Sequence, residues 1–428
     1  MTTGPAERDW FGQPRGLTVL FLTNMWEQFS YYGMRALLVY YMTKQLLMSQ
    51  QQSSFIYGAY TACAYFTPII GGAIADRYLG KKRAVIVGAS IMAAGHFMMT
   101  FEPLFYVALA TIAIGNGLFL PSLPSQIGDL YKRDDARRGW AFNVYYVGIN
   151  IGGFLAPLIC GTLGEVYGWH YGFGAAGIGM LAGLIIYLSG QKYLPPEQPR
   201  VVSDEAKANR VGFGRDTVLL LLGIGLSVTV FRGAYEQVGN TVALWADSGV
   251  DRAAGYFMIP MTWFQSLNPL FVMLMTPPLL AYWGRRAKID AHNLLVRRMA
   301  VGAGFVALSY LLIAGVAAAN GGHTANWIWL ALFFVIFTFG ELFILPTGLG
   351  LFARLAPEHL GATTVAAWYL VIFSGSLSAG LVGTLWSRMS PDRYFLLLAT
   401  IAALSALLLL SLSGRAAKLQ QAQTDEKV

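Results

Sequence analysis

Five ionisable side chains stand inside stretches of this chain that are otherwise almost wholly apolar: Glu27, Arg35, Arg232, Glu236 and Glu341. His96 is also titratable and lies in the same kind of context. A charge at the centre of a membrane-crossing helix costs roughly 2.5–3.5 kcal/mol on insertion scales. Five of them cannot face lipid, so they must face one another or a wet cavity. A carboxylate in such a place has two uses. It can hold a cationic amine in a charge-assisted pair, or it can take up a proton and change the charge of the cavity.

The spacing of these groups narrows the choices. Asn24, Glu27, Gln28, Tyr31, Tyr32 and Arg35 recur every three to four residues, which puts them on one stripe of a helix. Such a stripe either lines a cavity or packs as a polar seam between helices. Arg232 and Glu236 are four apart and share a face, so a local salt bridge is one reading. Arg35 can snorkel to the membrane surface or pair with Glu236 as a gate. Glu27 and Glu341 serve either as functional carboxylates or as members of structural ion pairs. Tyr65, Asn150, Gln237, Gln265, Asn268 and Trp368 are further polar or amphipathic residues in apolar surroundings. Asparagines there also hydrogen-bond between helices for purely structural reasons. His96 has no evident partner and reads as a packing residue. Cys63 and Cys160 sit in apolar runs and read as small hydrophobes. No metal-ligand cluster, Ser-His pair or phosphate-cradling glycine loop is visible, so no metal, no cofactor and no enzymatic activity are expected.

The elements that must carry these residues follow from composition. Of 428 residues, 56% are hydrophobic and 12% charged, about half the charged share of a soluble domain. That excludes an ordinary soluble enzyme or a disordered chain. Twelve apolar runs are long enough to span a bilayer: 18–46, 54–75, 83–101, 103–127, 139–163, 170–190, 216–245, 255–283, 298–318, 326–351, 362–386 and 394–413. Backbone satisfaction in lipid makes them helices. Pro68, Pro121, Pro157, Pro269 and Pro346 are expected to bend the second, fourth, fifth, eighth and tenth. The net charge of +8 is not a nucleic-acid patch, because most Lys and Arg fall in alternate connections between runs. With both termini cytoplasmic, only Lys44, Arg252, Arg388 and Arg393 fall on the far side. The longest polar connection, 191–215, divides the chain into six helices and six: a bundle over 1–190, a cytoplasmic linker, and a bundle over 216–428.

This layout, with GGAIADRYLGKKR between the second and third spans, resembles the major facilitator superfamily, which implies an all-α membrane protein of twelve transmembrane helices in two six-helix bundles. Longer strings resemble one family within it, the proton-dependent oligopeptide transporters. They are EQFSYYGMRALLVYY, YGAYTACAYFTPIIGGAIADRYLGKKR, GINIGGFLAPLICGTLGE, YEQVGNTVALWADSGVDR, WFQSLNPLF and FGELFILPTGLGLFARLAP. The resemblance covers nearly the whole chain.

Carried over residue by residue, the resemblance implies that Asn150, Asn268 and Glu341 hold the substrate's amino group. It implies that Arg35 and Glu236 form an outer gate and that Trp368 lines the pocket. Two places depart from the family pattern. Asn24-Met25-Trp26-Glu27-Gln28 stands where the family has Glu-x-x-Glu-Arg, and Leu120-Pro121-Ser122 stands where it has a lysine before Pro-Asn. The missing cations are implicated in holding the substrate carboxylate and in proton coupling. Either the substrate lacks a free carboxylate, or Arg232 binds it.

The expected function is proton-coupled symport of small peptides or peptide-like amines by alternating access. The alternative is an uncoupled facilitator or exporter of another small organic solute. The expected substrate-binding set is Asn24, Gln28, Tyr32, Tyr65, Asn150, Arg232, Asn268, Glu341 and Trp368. Glu27, Glu236 and Glu341 are expected to couple protons, and Arg35 with Glu236 to gate. The expected setting is a bacterial inner membrane, as a monomer in lipid, with a peptide-like substrate and protons as partners.

Overall fold

The structure, a computed structural model, describes residues 8–9, 12–131, 135, 137–197, 214–286, 295–355 and 361–425. It is helical almost throughout. The helices are α1 (Arg15–Tyr40), α2 (Gln50–Ile74), α3 (Lys81–Met98), α4 (Phe105–Asp129), α5 (Arg137–Ala156) and α6 (Trp169–Gly190). They continue with α7 (Arg215–Tyr235), α8 (Thr241–Ser248), α9 (Trp263–Arg286), α10 (Leu295–Ala319), α11 (Trp327–Leu355), α12 (Gly361–Gly383) and α13 (Pro391–Asp425). With α7 and α8 as two parts of one segment, each of the twelve apolar runs has its helix. Eight segments among the described residues are long and apolar enough to cross a membrane. The other four are α1, α2, α3 and α9, and their sequences say why. Helix α1 carries the polar stripe, α2 starts on Gln50-Gln51-Gln52-Ser53-Ser54, α3 starts on Lys81-Lys82-Arg83, and α9 ends on Arg285-Arg286.

Several runs depart from a plain helix. The seventh breaks at Tyr235: residues Glu236–Gly239 tighten into a 3-10 turn, Asn240 leaves helical geometry (φ −118°, ψ −94°), and α8 follows. The eighth does not start at 255. Ala253–Ala254 and Phe257–Met258 pair as a two-residue antiparallel hairpin around Gly255, which takes the left-handed φ of 65°. Arg252 Nη1 donates to the Ile259 carbonyl at 3.0 Å and holds that loop, so the helix begins only at Trp263. Pro68, Pro121 and Pro269 sit within α2, α4 and α9, which run on through them. At Pro157 the fifth helix widens into π turns over Pro157–Gly161 and Leu163–Tyr167, the local adjustment that re-houses backbone groups freed by a proline. The side chain of Pro346 and residues 198–213 of the linker lie outside the described residues.

Contacts divide the chain into two compact units, Met1–Leu47 with Cys63–Pro199, and Met48–Ala62 with Arg200–Val428. The first residues of α2 therefore group with the second unit. In the first unit α1 packs on α5 and α6, and α3 packs on α4 and α6. Its core joins Leu20, Met92, Phe119, Leu123, Met180 and Tyr187, all buried. Helix α2 meets α4 backbone to backbone. A Cβ at Gly71 would collide with the carbonyl group of Gly117, while Thr67 Oγ1 donates to Ala113 O at 2.7 Å and Asn116 Nδ2 to Ala64 O at 2.8 Å. The neighbouring Gly72 has room, with Pro121 at ordinary van der Waals distance. On the side carrying the basic loops, Lys81 Nζ pairs with Asp129 at 2.6 Å. There Arg137, hydrogen-bonded to Asp135, holds that carboxyl down to about 2.

In the second unit α10 packs on α11 and α13, α7 on α12 and α13, and α9 on α11. The break in the seventh segment is fastened by buried amides. Gln237 Nε2 donates to Gly233 O at 3.0 Å and to Ala379 O at 2.8 Å, and Thr241 Oγ1 donates to Gln237 Oε1 at 3.0 Å. Ser54 Oγ donates to Asn240 Oδ1 at 2.8 Å, and Gln50 Nε2 to Gly383 O at 2.8 Å. In hydrocarbon a freed backbone group has no water to turn to, and Gln237 meets the Gly233 carbonyl that the interrupted helix leaves open.

Gly71→Leu is expected to lower the thermal unfolding midpoint of the purified protein markedly, since overpacking a fitted interface costs about 1–3 kcal/mol or more. Gly304→Ala, where an added Cβ meets nothing within 4 Å, is the control and should change it little. Equal midpoints for both variants would show that the α2–α4 approach is looser than the geometry indicates.

Candidate functional site

In the second unit the site grows from the end of α7. Four residues of helix put Arg232 and Glu236 on one face, and they pair directly, both 3% exposed. The same guanidinium donates to Ser376 Oγ on α12 at 3.2 Å. Gly375 makes room for it, because a Cβ there would press on the arginine's Cβ at 2.6 Å. Tyr235 lies between the two charges in sequence. Its ring carries the Arg232 guanidinium at 5.6 Å and stacks on Phe337 at 5.4 Å. Its hydroxyl donates to Glu341 Oε1 at 2.7 Å.

Glu341, on α11, is 8% exposed. Its second oxygen accepts from Asn268 Nδ2 of α9, and that amide also donates to Thr338 Oγ1 at 3.1 Å. Both partners of the carboxylate are neutral donors. A carboxylate accepts about four hydrogen bonds, so acceptor capacity remains on each oxygen. Chemically, such a group is stable either protonated or opposite a mobile cation, because burying the bare charge would cost too much. Trp368 of α12, 4% exposed, packs edge-on against Phe352 at 5.1 Å.

The first unit holds a parallel arrangement on α1. Glu27 is 1% exposed and accepts from Gln28 Nε2 at 2.7 Å, again a neutral donor. Asn24 Nδ2 donates to the Tyr145 carbonyl of α5 at 3.2 Å. The stripe read from the sequence is therefore partly a seam between α1 and α5. Asn150 Nδ2 turns back to its own helix, donating to Tyr146 O at 2.9 Å. Tyr32 packs edge-on against Tyr31 at 5.5 Å. Tyr32, Tyr65 and Arg35 are half-buried. Leu120 is half-buried at the middle of α4, one residue before Pro121.

Among the expected residues, then, the structure joins Asn268 to Glu341 and Arg232 to Glu236 within the second unit, and Glu27 to Gln28 within the first. Within the second unit Glu236 forms the local salt bridge with Arg232. His96 is fully buried with neither ring nitrogen hydrogen-bonded among the described residues, in keeping with a packing role. Sequence reasoning missed Tyr235, Thr338 and Ser376. Tyr235 carried a signal, since a tyrosine directly before an intramembrane glutamate needs a partner for its hydroxyl. Thr338 and Ser376 carried none, being small hydroxyl residues in apolar runs.

The comparisons with known proteins bear on what this set of residues serves. A sequence profile of the POT family matches residues 82–213 and 213–397. The chain belongs to the POT family. A peptide transporter of Yersinia enterocolitica, YePEPT, is 31% identical over 89% of this chain and 90% of its own length. A di-/tripeptide transporter of Lactococcus lactis is 30% identical over 94% of this chain and 96% of its own. Among solved structures, a peptide transporter POT in complex with sulfate matches with a TM-score of 0.89 at 29% identity over 97% of both chains. A variant of a peptide transporter POT in complex with alafosfalin matches at 0.87, with 30% identity. The POT-family chain is thus an integral membrane transporter with an all-helical facilitator-type fold, and not an enzyme.

Replacing Arg232 by Gln is expected to strand Glu236 and to cost about 3–5 kcal/mol, the usual cost of breaking a buried pair. Arg232→Gln with Glu236→Gln removes both charges and should recover most of that loss. Thermal unfolding of the wild type and the two variants in detergent checks it. A double variant no more stable than the single one would mean that the pair is not directly coupled.

Proposed function

We propose that this protein carries small peptides or peptide-like amines across a bacterial inner membrane together with protons, by alternating access. In this reading both termini are cytoplasmic, residues 191–215 link two six-helix bundles, 1–190 and 216–428, and the protein works as a monomer in lipid. The family membership supports it, and so do the named relatives: two are described as peptide and di-/tripeptide transporters. A further neighbour at 26% identity and a TM-score of 0.86 is a POT family transporter in complex with 5-aminolevulinic acid, itself an amine.

One observation carries the reading: Glu341 lies buried with Tyr235 and Asn268 as neutral donors. A substrate ammonium group against this carboxylate completes its acceptor set and cancels its charge. Glu341 therefore takes the amine, and Glu27, held by Gln28, is a second carboxylate of the same kind that takes up a proton for the same inward step and releases it inside. Changing the charge on these groups changes the relative energies of the inward- and outward-open states, so an inward proton gradient drives uptake. Asn24, Gln28, Tyr32, Tyr65, Asn150 and Trp368 complete the proposed substrate contacts. Arg35 and Glu236 are the proposed outer gate. Within its own unit Glu236 also bonds Arg232.

Two tests follow. Glu341→Gln keeps the side chain's shape and should leave folding intact. It should weaken binding of a dipeptide about 10- to 150-fold, the equivalent of 1.5–3 kcal/mol for a hydrogen bond to a charged group, and abolish proton-driven uptake into proteoliposomes. Uptake at the wild-type rate would remove Glu341 from the mechanism. For the gate, Arg35→Glu with Glu236→Arg should retain some uptake, whereas each single change should abolish it. Equal loss in all three, with the proteins inserted and folded, would argue against a direct Arg35–Glu236 pair.

A further inference from the structure

Within the first unit, helix α6 is a common ruler for α1 and α3, because both lie against its glycines. A Cβ at Gly177 would meet the Phe97 ring of α3, one at Gly179 the Phe29 ring of α1, and one at Gly183 the backbone of Thr23 and Glu27. Gly177 and Gly179 are two residues apart, about 3 Å along the helix axis. His96 and Ser30 each adjoin one of those phenylalanines in sequence, so they stand at nearly one level. Helices α1 and α3 also approach each other directly. On α3, Gly88 and Gly95 abut α4 while Phe97 reaches α6. His96 falls between those two directions, and Val87 and Ala94 on the opposite side are exposed, so the imidazole is turned into the bundle. On α1, Thr23, Glu27 and Ser30 follow one another at steps of four and three and share a face. None of the three is more than 1% exposed.

Among the described residues, Thr23 Oγ1, Ser30 Oγ and both ring nitrogens of His96 have no hydrogen-bond partner in the protein. Glu27 accepts from Gln28 Nε2 at 2.7 Å, which leaves acceptor capacity on its carboxylate. Packing accounts for the burial of His96 but not for its two unmatched nitrogens. A buried polar atom without a partner is costly. Hydroxyls and an imidazole both donate and accept, which is the inventory that holds an internal water, typically through about three hydrogen bonds. We propose that ordered water fills the interior of the first unit between Ser30, His96 and Glu27, and that Glu27 loads and releases its proton through it. The second half rests on the reading above that Glu27 carries the coupled proton. Glu27 takes a proton from one water as that water takes one from the next, so no water stays charged, and release runs the same steps in reverse. Ser30 and His96 are positioning residues in this scheme: they hold water, not substrate.

Two measurements on the full-length transporter in proteoliposomes test it. In X-ray hydroxyl-radical footprinting, bound water is itself the source of radicals. His96 should therefore be labelled although it is fully buried, and Ser30→Ala should reduce that label. Phe119, equally buried in the apolar core of the same unit, is the internal reference and should stay unlabelled. A His96 as protected as Phe119 overturns the water site. The second measurement compares uptake of alanylalanine driven by an inward proton gradient with counterflow, which exchanges labelled for unlabelled peptide without net proton movement. Ser30→Ala and His96→Phe are expected to slow gradient-driven uptake at least about tenfold and to leave counterflow near the wild-type rate. Ser30→Thr, which keeps the hydroxyl, should restore uptake. Should His96→Phe fail to insert, Ser30→Ala carries both measurements. Unchanged uptake, or equal loss of uptake and counterflow, overturns the relay and leaves the coupling reading standing. A wild type that exchanges peptide but ignores the gradient overturns the coupling reading itself, and the relay falls with it.

Discussion

A carboxylate inside a bilayer-spanning helix has to be matched, and the kind of group that matches it decides what it can do. Matched by a guanidinium, its charge is cancelled from within the protein. Matched by phenol and amide donors, it is held in place while its charge is left to a proton or a visiting cation. Both kinds occur within the second unit. Glu236 has Arg232. Glu341 has Tyr235 and Asn268. The architecture follows from keeping the two apart in kind while close in sequence connection. Tyr235, next to Glu236 on the chain, reaches the other carboxylate with its hydroxyl and lies under the first one's arginine with its ring.

That arrangement depends on the break in the seventh segment. A continuous helix through 236–240 would carry Gln237 and Asn240 with their backbone groups satisfied internally. Here the helix tightens and stops, Gln237 Nε2 takes up the Gly233 and Ala379 carbonyls, and Thr241 and Ser54 bond the side chains of Gln237 and Asn240. Small residues make this possible on the facing helix: Gly375 admits Arg232, Ser376 bonds it, and Gly383 accepts Gln50. The break places the ion pair and the Tyr235–Glu341 contact beside the joint of two helical pieces.

Much of this was legible in the sequence, for a physical reason. Lipid imposes a single rule on backbone and charge, so apolar runs become helices and an intramembrane Glu341 or Glu27 announces itself. The alternation of basic segments and the polar stripe of α1 could be read in the same way. What the sequence hid were features that depend on partners. EQVGN sits in a run apolar enough to pass as one helix, and its break is fastened by residues far away, Ser54 and Ala379 among them. The run at 255–283 looked helical from its start, because Tyr256, Phe257 and Met258 are apolar, yet Gly255 and Arg252 hold a hairpin there. Glu236 offered two arginines at similar plausibility. Spacing favoured Arg232, family pattern favoured Arg35, and the local pair is the one formed within the unit.

The central proposal is that a substrate amine neutralises Glu341 while a proton travels with it on a second carboxylate held by a neutral donor, Glu27. The most direct measurement follows protons and peptide together. With the transporter in liposomes loaded with a pH-sensitive dye and the membrane potential clamped at zero, an alanine dipeptide or its amide is added outside at equal pH on both sides. The account predicts that the lumen acidifies in step with ligand entry, at a fixed ratio of protons to ligand. Ligand entry with no change in luminal pH would contradict it.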